Sequence, residues 1–463
     1  MTTDSGVGPG GSGSEGDVTS ELPPGWVRTT LGEIISPISD RYKPTAGDDL
    51  PYLGMDNVES HTGRVMNFGS AASIKSSSPI VRPGYLLYGR LRPYLNKVVL
   101  ADFDGICSGE FIVFPPSEAI DSRFLLHRLL SPDFVRYVMR KNPKGDRPRA
   151  YWEQFSNFPV LLPPLSEQHR IVAKLDEQLA NIEAGEVSLA DAEARIVAFV
   201  ASLLADATKP SADWEIKTIG EMATVSSGAT PLKGRSDYYD GGTVPWITSS
   251  LLNAPFVDRA EKFITDRAVA ETAVKQYPPG TLLLAMYGEG KTRGKCSELR
   301  IHATTNQACA GIQFAAEYEC RKDWVKLVLE SRYEENRALA SGGVQPNLSL
   351  GLIKRIQVPL PPLTRQKELL DQVAQRRADA GEMSDVIESV KIQAAELRNA
   401  LLDAAFTGAL VPQDPEDEPA SVLLDRIRAE RTAVAKQTRR KRVSRATSLA
   451  APQTSGPQEA LPL

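Results

Sequence analysis

The sequence predicts an α+β chain in which two similar globular units stand in tandem, separated by two long helices that pack along each other. Three observations predict it. Residues 166–207 carry Leu175, Ile182, Leu189, Ile196 and Leu203 at every seventh position, on a background of Lys, Glu, Asp and Arg. Residues 364–410 repeat the pattern, with Met383, Ile387, Val390, Leu397 and Leu401 expected on the face that meets the first helix. A seven-residue apolar period on a charged background belongs to a helix lying along another helix. Finally, both stretches are led in by the same Leu-Pro-Pro-Leu, at 162–165 and 360–363. A repeat this long marks a duplicated domain, since solenoid repeats are shorter.

The elements follow in chain order. Residues 1–20 are Gly/Ser-rich with almost nothing to bury, and a disordered tail is expected there. A first globular domain is expected over 21–165 and a second over 208–363. Trp26-Val27-Arg28-Thr29-Thr30-Leu31-Gly32-Glu33 is echoed by Trp214-Glu215-Ile216-Lys217-Thr218-Ile219-Gly220-Glu221. Pro51-Tyr52-Leu53 is echoed by Pro245-Trp246-Ile247, and Phe111–Phe114 by Gly311–Phe314, each read as a strand. Residues 124–140 and 324–340 each read as one amphipathic helix, giving short strands mixed with helices in each unit. The central helix at 166–207 starts after two prolines with Ser166-Glu167-Gln168, an N-cap followed by an acidic first turn. At ~1.5 Å per residue it spans about 60 Å. The C-terminal helix fills 364–410. Beyond it, 411–463 reads as an unstructured linker, a short helix from about Ala420 and a basic polar tail with Arg439-Arg440-Lys441-Arg442.

Composition narrows the function. The chain has 463 residues and a formal charge of −4, so any nucleic-acid surface must be local. The four cysteines form no C-x-x-C pair and the four histidines are not clustered beside them, so no metal site is expected and free thiols in a reducing cytoplasm are. No apolar run is long enough to span a membrane, so no membrane partner is expected. Gly6, Gly8 and Gly11 match a dinucleotide fingerprint by letter, but no strand precedes them and no amphipathic helix follows.

Catalytic patterns are missing as well. Gly288-Glu289-Gly290-Lys291-Thr292 imitates the end of a phosphate loop, yet Ala285 stands where that loop needs glycine. A Gly-rich loop carrying Lys291, Arg293 and Lys295 suits DNA phosphates or base edges, and equally a solvated hairpin. Its counterpart in the first unit carries Arg90, Arg92, Tyr94, Asn96 and Lys97. Residues 79–150 hold twelve Lys/Arg against seven Asp/Glu, a local excess of positive charge within an acidic chain. A second basic loop adds Arg147 and Arg149, and its counterpart in the repeat carries Gln345 and Asn347. Equivalent loops with different side chains suit one scaffold reading two different ligands. No methylase motif, Ser-His-Asp order or H-E-x-x-H is present, so no catalytic residues are named.

At this point the sequence resembles a known family, the DNA specificity subunits of type I restriction-modification systems. The carrying residues are Leu-Pro-Pro-Leu-(Ser/Thr)-x-Gln at 162–168 and 360–366, and the helix exit Asn399–Leu410. In the second unit, Ser227-Gly228-Ala229-Thr230-Pro231, Val244-Pro245-Trp246-Ile247 and Thr305-Asn306-Gln307-Ala308 resemble that family's target recognition domains. The resemblance implies that each unit reads one half of a split double-stranded DNA site while the two long helices pack as an antiparallel coiled coil and fix the spacing. It implies docking of two methylase subunits, with translocating restriction subunits joining that core. It also implies a cytoplasmic, non-catalytic chain that carries no cofactor, S-adenosylmethionine, ATP and magnesium belonging to the partner subunits. Two other readings stay open on the residues alone: a coiled-coil scaffold that binds no DNA, and a fused nuclease or methylase with unrecognised motifs.

Overall fold

The Trp26 and Trp214 segments each open a compact unit, and a computed structural model describes both, covering residues 21–45, 47–141, 147–287, 291–338, 347–429 and 432. The tail expected at 1–20 and the basic run at 439–442 lie outside the described residues. One unit takes in the chain up to 186 and from 392 onward, and the other takes in 187–391. The two long helices, Leu165–Ala207 and Leu363–Thr407, each give a segment to both units.

The first unit opens on the Val27–Thr30 strand, paired antiparallel with Pro159–Leu162. The last strand thus returns beside the first and delivers the chain into the long helix. Between them, Leu86–Gly89 is flanked antiparallel by Val98–Leu100 and Phe111–Phe114. A second sheet runs in the order Arg41–Tyr42, Ser78–Val81, Gly105–Cys107, Pro51–Leu53, Gly69–Ser70. The stretch read as one helix over 124–140 is two helices, Ser122–Leu130 and Pro132–Lys141. Pro132 has no N–H to give, and it holds Ser131 extended, at ψ 146°. The Asp121 carboxylate caps the first of the two, accepting from the amides of Arg123 and Phe124 at 2.9 Å.

The second unit repeats this plan. Glu215–Thr218 pairs antiparallel with Gln357–Leu360. Leu282–Ala285 is flanked by Cys296–Leu299 and Cys309–Phe314. Pro51–Leu53 and Val244–Ile247 each pair in parallel with a later strand of their own unit, Tyr52 opposite Ile106 and Trp246 opposite Thr304. The stretch over 324–340 is also two helices, Lys322–Ser331 and Tyr333–Ala338, with the break at Arg332.

The shared Leu-Pro-Pro-Leu has a physical reason. Three residues past each motif stands a buried glutamine. The Gln168 amide donates to the Pro163 carbonyl at 3.0 Å and accepts from the Asp121 amide at 2.8 Å. The Gln366 amide donates to the Pro361 carbonyl at 2.7 Å. Each glutamine therefore ties the first turn of its helix back to the proline pair before it and gives a carbonyl there a donor, the Pro361 carbonyl accepting also from Arg321 at 3.2 Å. Glu167, the acidic residue of that first turn, is buried, accepting from the Trp26 indole N–H at 3.0 Å and the Gln413 amide at 3.3 Å. Burial raises its carboxyl above the usual carboxylate range.

The helices run antiparallel. In the first unit, Leu175 near the start of one helix shares a core with Leu402 and Phe406 near the end of the other, and Arg398 pairs with Glu186 at 3.0 Å. In the second unit, Leu204 shares a core with Leu369 and Val373, and Lys391 pairs with Glu193 at 2.6 Å. Leu175 is fully buried, while Ile182, Leu189, Ile196 and Leu203 are half-buried. On the second helix the buried apolar positions are Leu369, Val373, Ala380, Ile387, Leu402, Ala405 and Phe406, with Leu401 half-buried. Met383 (58% exposed), Val390 and Leu397, expected in the seam, face solvent instead. A two-helix pair covers only one narrow stripe of each partner. These three lie three residues past Ala380, Ile387 and Ala394, on the flank of that stripe. One position further on, Lys391 and Arg398 fold across to the facing carboxylates.

The segment after the second helix is anchored, not loose. Arg170 pairs with Asp417 at 2.8 Å, and Ala420, Leu423, Leu424 and Ile427 of the helix over 420–429 enter the first unit's core.

Candidate nucleic-acid interface

Three backbone hydrogen bonds recur at matching places in the two units and fix which loops are equivalent. In the first unit, the Gly89 amide donates to the Lys97 carbonyl, the Arg90 amide to Glu110 and the Ala150 amide to Arg90. In the second, the Ala285 amide donates to Lys295, the Met286 amide to Ala308 and the Leu348 amide to Met286. The Arg90–Lys97 loop therefore corresponds to the loop ending at Lys295, and Arg149 corresponds to Asn347. The basic loops found in the sequence are brought together at one edge of a three-stranded hairpin in each unit.

In the first unit this edge is a cationic cluster ordered by one carboxylate. Arg149 faces Glu110 as a fork, with Nη2 at 2.9 Å from Oε1 and Nε at 3.1 Å from Oε2. Arg90 Nε reaches the same Oε2 at 3.2 Å. Hydrogen bonds from Arg149 keep the Glu110 carboxyl below its usual range, so it stays an anion. Two guanidinium groups on one carboxylate leave a net positive charge and two planar donors held in set directions. Arg92 is held in a left-handed conformation at φ 51°, and its amide donates to the Pro148 carbonyl, bringing Arg147 and Arg149 beside it. Arg92 and Arg147 are exposed and have no carboxylate partner among the described residues. Tyr94 is 43% exposed on the same loop.

Two residues of the expected set do not face outward. Asn96 is fully buried, at φ 40°, and its amide donates to the Leu129 carbonyl at 3.1 Å. Asparagine tolerates the left-handed turn that ends the Pro93–Leu95 helical turn, and that explains its place there. Lys97 is half-buried and donates to the Met55 carbonyl at 2.7 Å. Both shape the loop from within.

The second unit's edge is built around Tyr333. Its hydroxyl donates to the Lys291 carbonyl at 2.6 Å, and Lys295 Nζ lies 4.7 Å from its ring centroid. Gly294, at φ +86°, turns the chain there, and a Cβ on it would stand 3.5 Å from the ring. Lys291 is exposed with no carboxylate partner among the described residues, Arg293 is half-buried, and Asn347 is half-buried beside the Met286 strand end. Gly288–Gly290 and Gln345 lie outside the described residues. Glu110 and Tyr333 escaped sequence reading, because neither sits in a basic loop and each acts on residues distant in the chain.

Among the described residues, no group of three or more His, Cys, Asp or Glu side chains could hold a metal ion, and no helix is long and apolar enough to cross a membrane. Burial pushes the Cys107 and Cys309 thiols up to about 12, which suits buried packing and not nucleophilic chemistry.

Comparison with known proteins gives a consistent picture. The family described as type I restriction modification DNA specificity domain matches twice, over residues 24–188 and 211–375. The EcoDI type I restriction enzyme specificity subunit of Escherichia coli is 26% identical over 216 residues, covering 46% of this chain and 48% of that one. The chain thus spans about half the length of that relative. The EcoKI specificity subunit of E. coli K12 is 23% identical, covering 69% of this chain and 74% of that one. Among solved structures, one from a study of assembly and conformational transition of the type I R-M system superposes with a TM-score of 0.72 at 22% identity. It covers 84% of this chain and all of that one. The HsdS subunit from Thermoanaerobacter tengcongensis gives 0.54 at 23% identity, covering 85% and 99%. At these identities the structural matches establish the fold.

Proposed function

The chain belongs to the type I restriction-modification DNA specificity family, and from that premise we propose that it is the DNA-reading subunit of such a complex. Each unit reads one part of a bipartite duplex site, through the Arg90–Arg149 edge in the first and the Lys291–Asn347 edge in the second. One observation carries this reading. The same hairpin edge occurs twice with the same backbone bonds, but it presents two arginines fixed by Glu110 in one unit and Lys291, Lys295 and Asn347 in the other. A duplicated scaffold with different side chains at matching positions suits two half-sites of different sequence.

The long helices set the number of base pairs between the half-sites. At 43 and 45 residues and ~1.5 Å per residue, each is about 65 Å long, nearly two turns of duplex at ~34 Å per turn. They also dock two modification subunits. The apolar residues left exposed along them support this, among them Val197 (70% exposed), Phe199, Met383 and Val386. In the second unit Ile196, Phe199, Met383 and Val386 line a groove of about 990 Å³ between the helices. Exposed apolar patches of this kind mark protein-binding surfaces. The chain itself performs no catalysis in this scheme and works in the cytoplasm. S-adenosylmethionine, ATP and magnesium are carried by the modification and restriction subunits.

The test is a footprint with the chain co-purified with its modification partner. Protection of a two-part site with a fixed spacer is expected. Shortening both helices by whole turns should change the spacer. Protection of no bipartite site, or a spacer that does not respond, overturns the reading.

A further inference from the structure

Beside the second unit's hairpin edge lies a hollow of about 600 Å³ that the basic-loop pattern does not account for. Its floor is aromatic. Trp246 donates its indole N–H to the Ala229 carbonyl at 3.2 Å, and Tyr239 donates its hydroxyl to the Pro231 carbonyl at 2.5 Å, so both rings are fixed with their polar atoms already used. Phe263 is exposed on the rim. Lys233 and Lys262 are exposed there too, and neither has a carboxylate partner among the described residues. Among the described residues no aspartate or glutamate lines the hollow, although the chain as a whole carries a net charge of −4.

Gln307 stands at the mouth. The Thr230 hydroxyl donates to its Oε1, which fixes the plane of the amide. Its Nε2 has no partner among the described residues, so two donors and one acceptor lone pair remain free. Gln307 precedes Ala308, whose carbonyl accepts from the Met286 amide, and Met286 in turn holds Leu348 beside Asn347. The hollow and the Lys291–Asn347 edge are therefore neighbouring parts of one surface. In the first unit the matching position is Gly109, since Ser108 and Asn306 make the same bond to Leu53 and Ile247 respectively. A Cβ at Gly109 would stand 3.6 Å from an Arg41 guanidinium nitrogen. The two units thus differ here in the side chain offered.

Deepening the DNA-reading function proposed above, on which it rests, we infer that this hollow is a second reading element of the second unit. Gln307 contacts a base edge, and Lys233 and Lys262 hold the phosphates on either side. A carboxamide with both a donor and an acceptor free matches adenine, which presents an N6 donor beside the N7 acceptor in the major groove. Thr230 is a positioning residue that keeps the amide aimed. Duplex DNA is the occupant because the rim is cationic and unpaired while the centre carries an uncharged, directional amide, the combination that separates holding a backbone from reading a base.

The experiment selects binding sites from a randomised duplex library, using the full chain co-purified with its modification partner. Gln307→Ala should lose preference at one A·T pair in one half-site by roughly 5- to 150-fold and leave the other half-site unchanged. Thr230→Ala should lower the same preference and Thr230→Ser should keep it. The Lys233→Ala/Lys262→Ala double variant should weaken binding to all sequences and lower the slope of log K against log salt by about 2. Unchanged selection by Gln307→Ala, equal loss in both half-sites, or an unchanged salt slope overturns the assignment of the hollow while leaving the DNA-reading function standing. A wild-type complex that enriches no bipartite sequence overturns both.

Discussion

Replacing Glu110 with glutamine removes the one negative charge on which Arg90 and Arg149 converge. Four contacts of 2.9 to 3.3 Å between the Arg149 fork, Arg90 and this carboxylate set the size of the effect. The pairs are partly open to solvent, so the loss in folding stability should stay within about 1 kcal/mol. DNA binding should change in two opposite ways. The local charge rises by one, so binding to random duplex tightens and its salt slope steepens by about 0.9. At the same time the two guanidinium groups lose the anchor that aims them. One bidentate arginine contact discriminates by about 1–3 kcal/mol, so the ratio of specific to random affinity should fall roughly 5- to 150-fold. The assay is fluorescence anisotropy of the complex on its cognate duplex and on a scrambled one, across a salt series. An unchanged ratio, with the salt slope steepened as expected, would show that Glu110 does not orient the arginines for reading.

The remaining predictions concern the helices. Gln168→Ala should cost about 1–3 kcal/mol in denaturant unfolding, because it leaves the Asp121 amide and the Pro163 carbonyl without their partner; Gln366→Ala breaks one such bond and should cost less. Glu167 has its carboxyl raised by burial, so the folded state resists its ionisation. Its contribution is favourable at low pH and is lost as pH rises through the raised value. Glu167→Gln should therefore raise the melting temperature at pH 7, and the gain should vanish near pH 4; a gain that persists at low pH would contradict the assignment. Ile387→Ala, at a buried seam position, should cost about 2–5 kcal/mol. Met383→Ser and Leu397→Ser should stay within about 0.5 kcal/mol yet weaken co-purification of the modification partner, and equal destabilisation by all three would restore Met383 and Leu397 to the seam.

The long helices, their pairing and the duplication could be read directly from the chain. Each is written as a repeat: apolar residues every seven positions, and the same Leu-Pro-Pro-Leu before both helices. Helical periodicity is a local property, and a duplicated domain leaves its marks in linear order. What linear order does not carry is which flank of an apolar stripe is covered. Met383, Val390 and Leu397 have the right spacing, but Lys391 and Arg398 reach across to Glu193 and Glu186 beside them, leaving those three in water. Asn96 looked like a base reader by type, yet a left-handed turn buries it against Leu129. Glu110 meets Arg149 from 39 residues away, and Gln307 meets Thr230 from 77. Contacts of that span form only when the sheets close, so composition and spacing supplied the charged loops, and the packing of distant strands chose which of their side chains face outward and what holds them there.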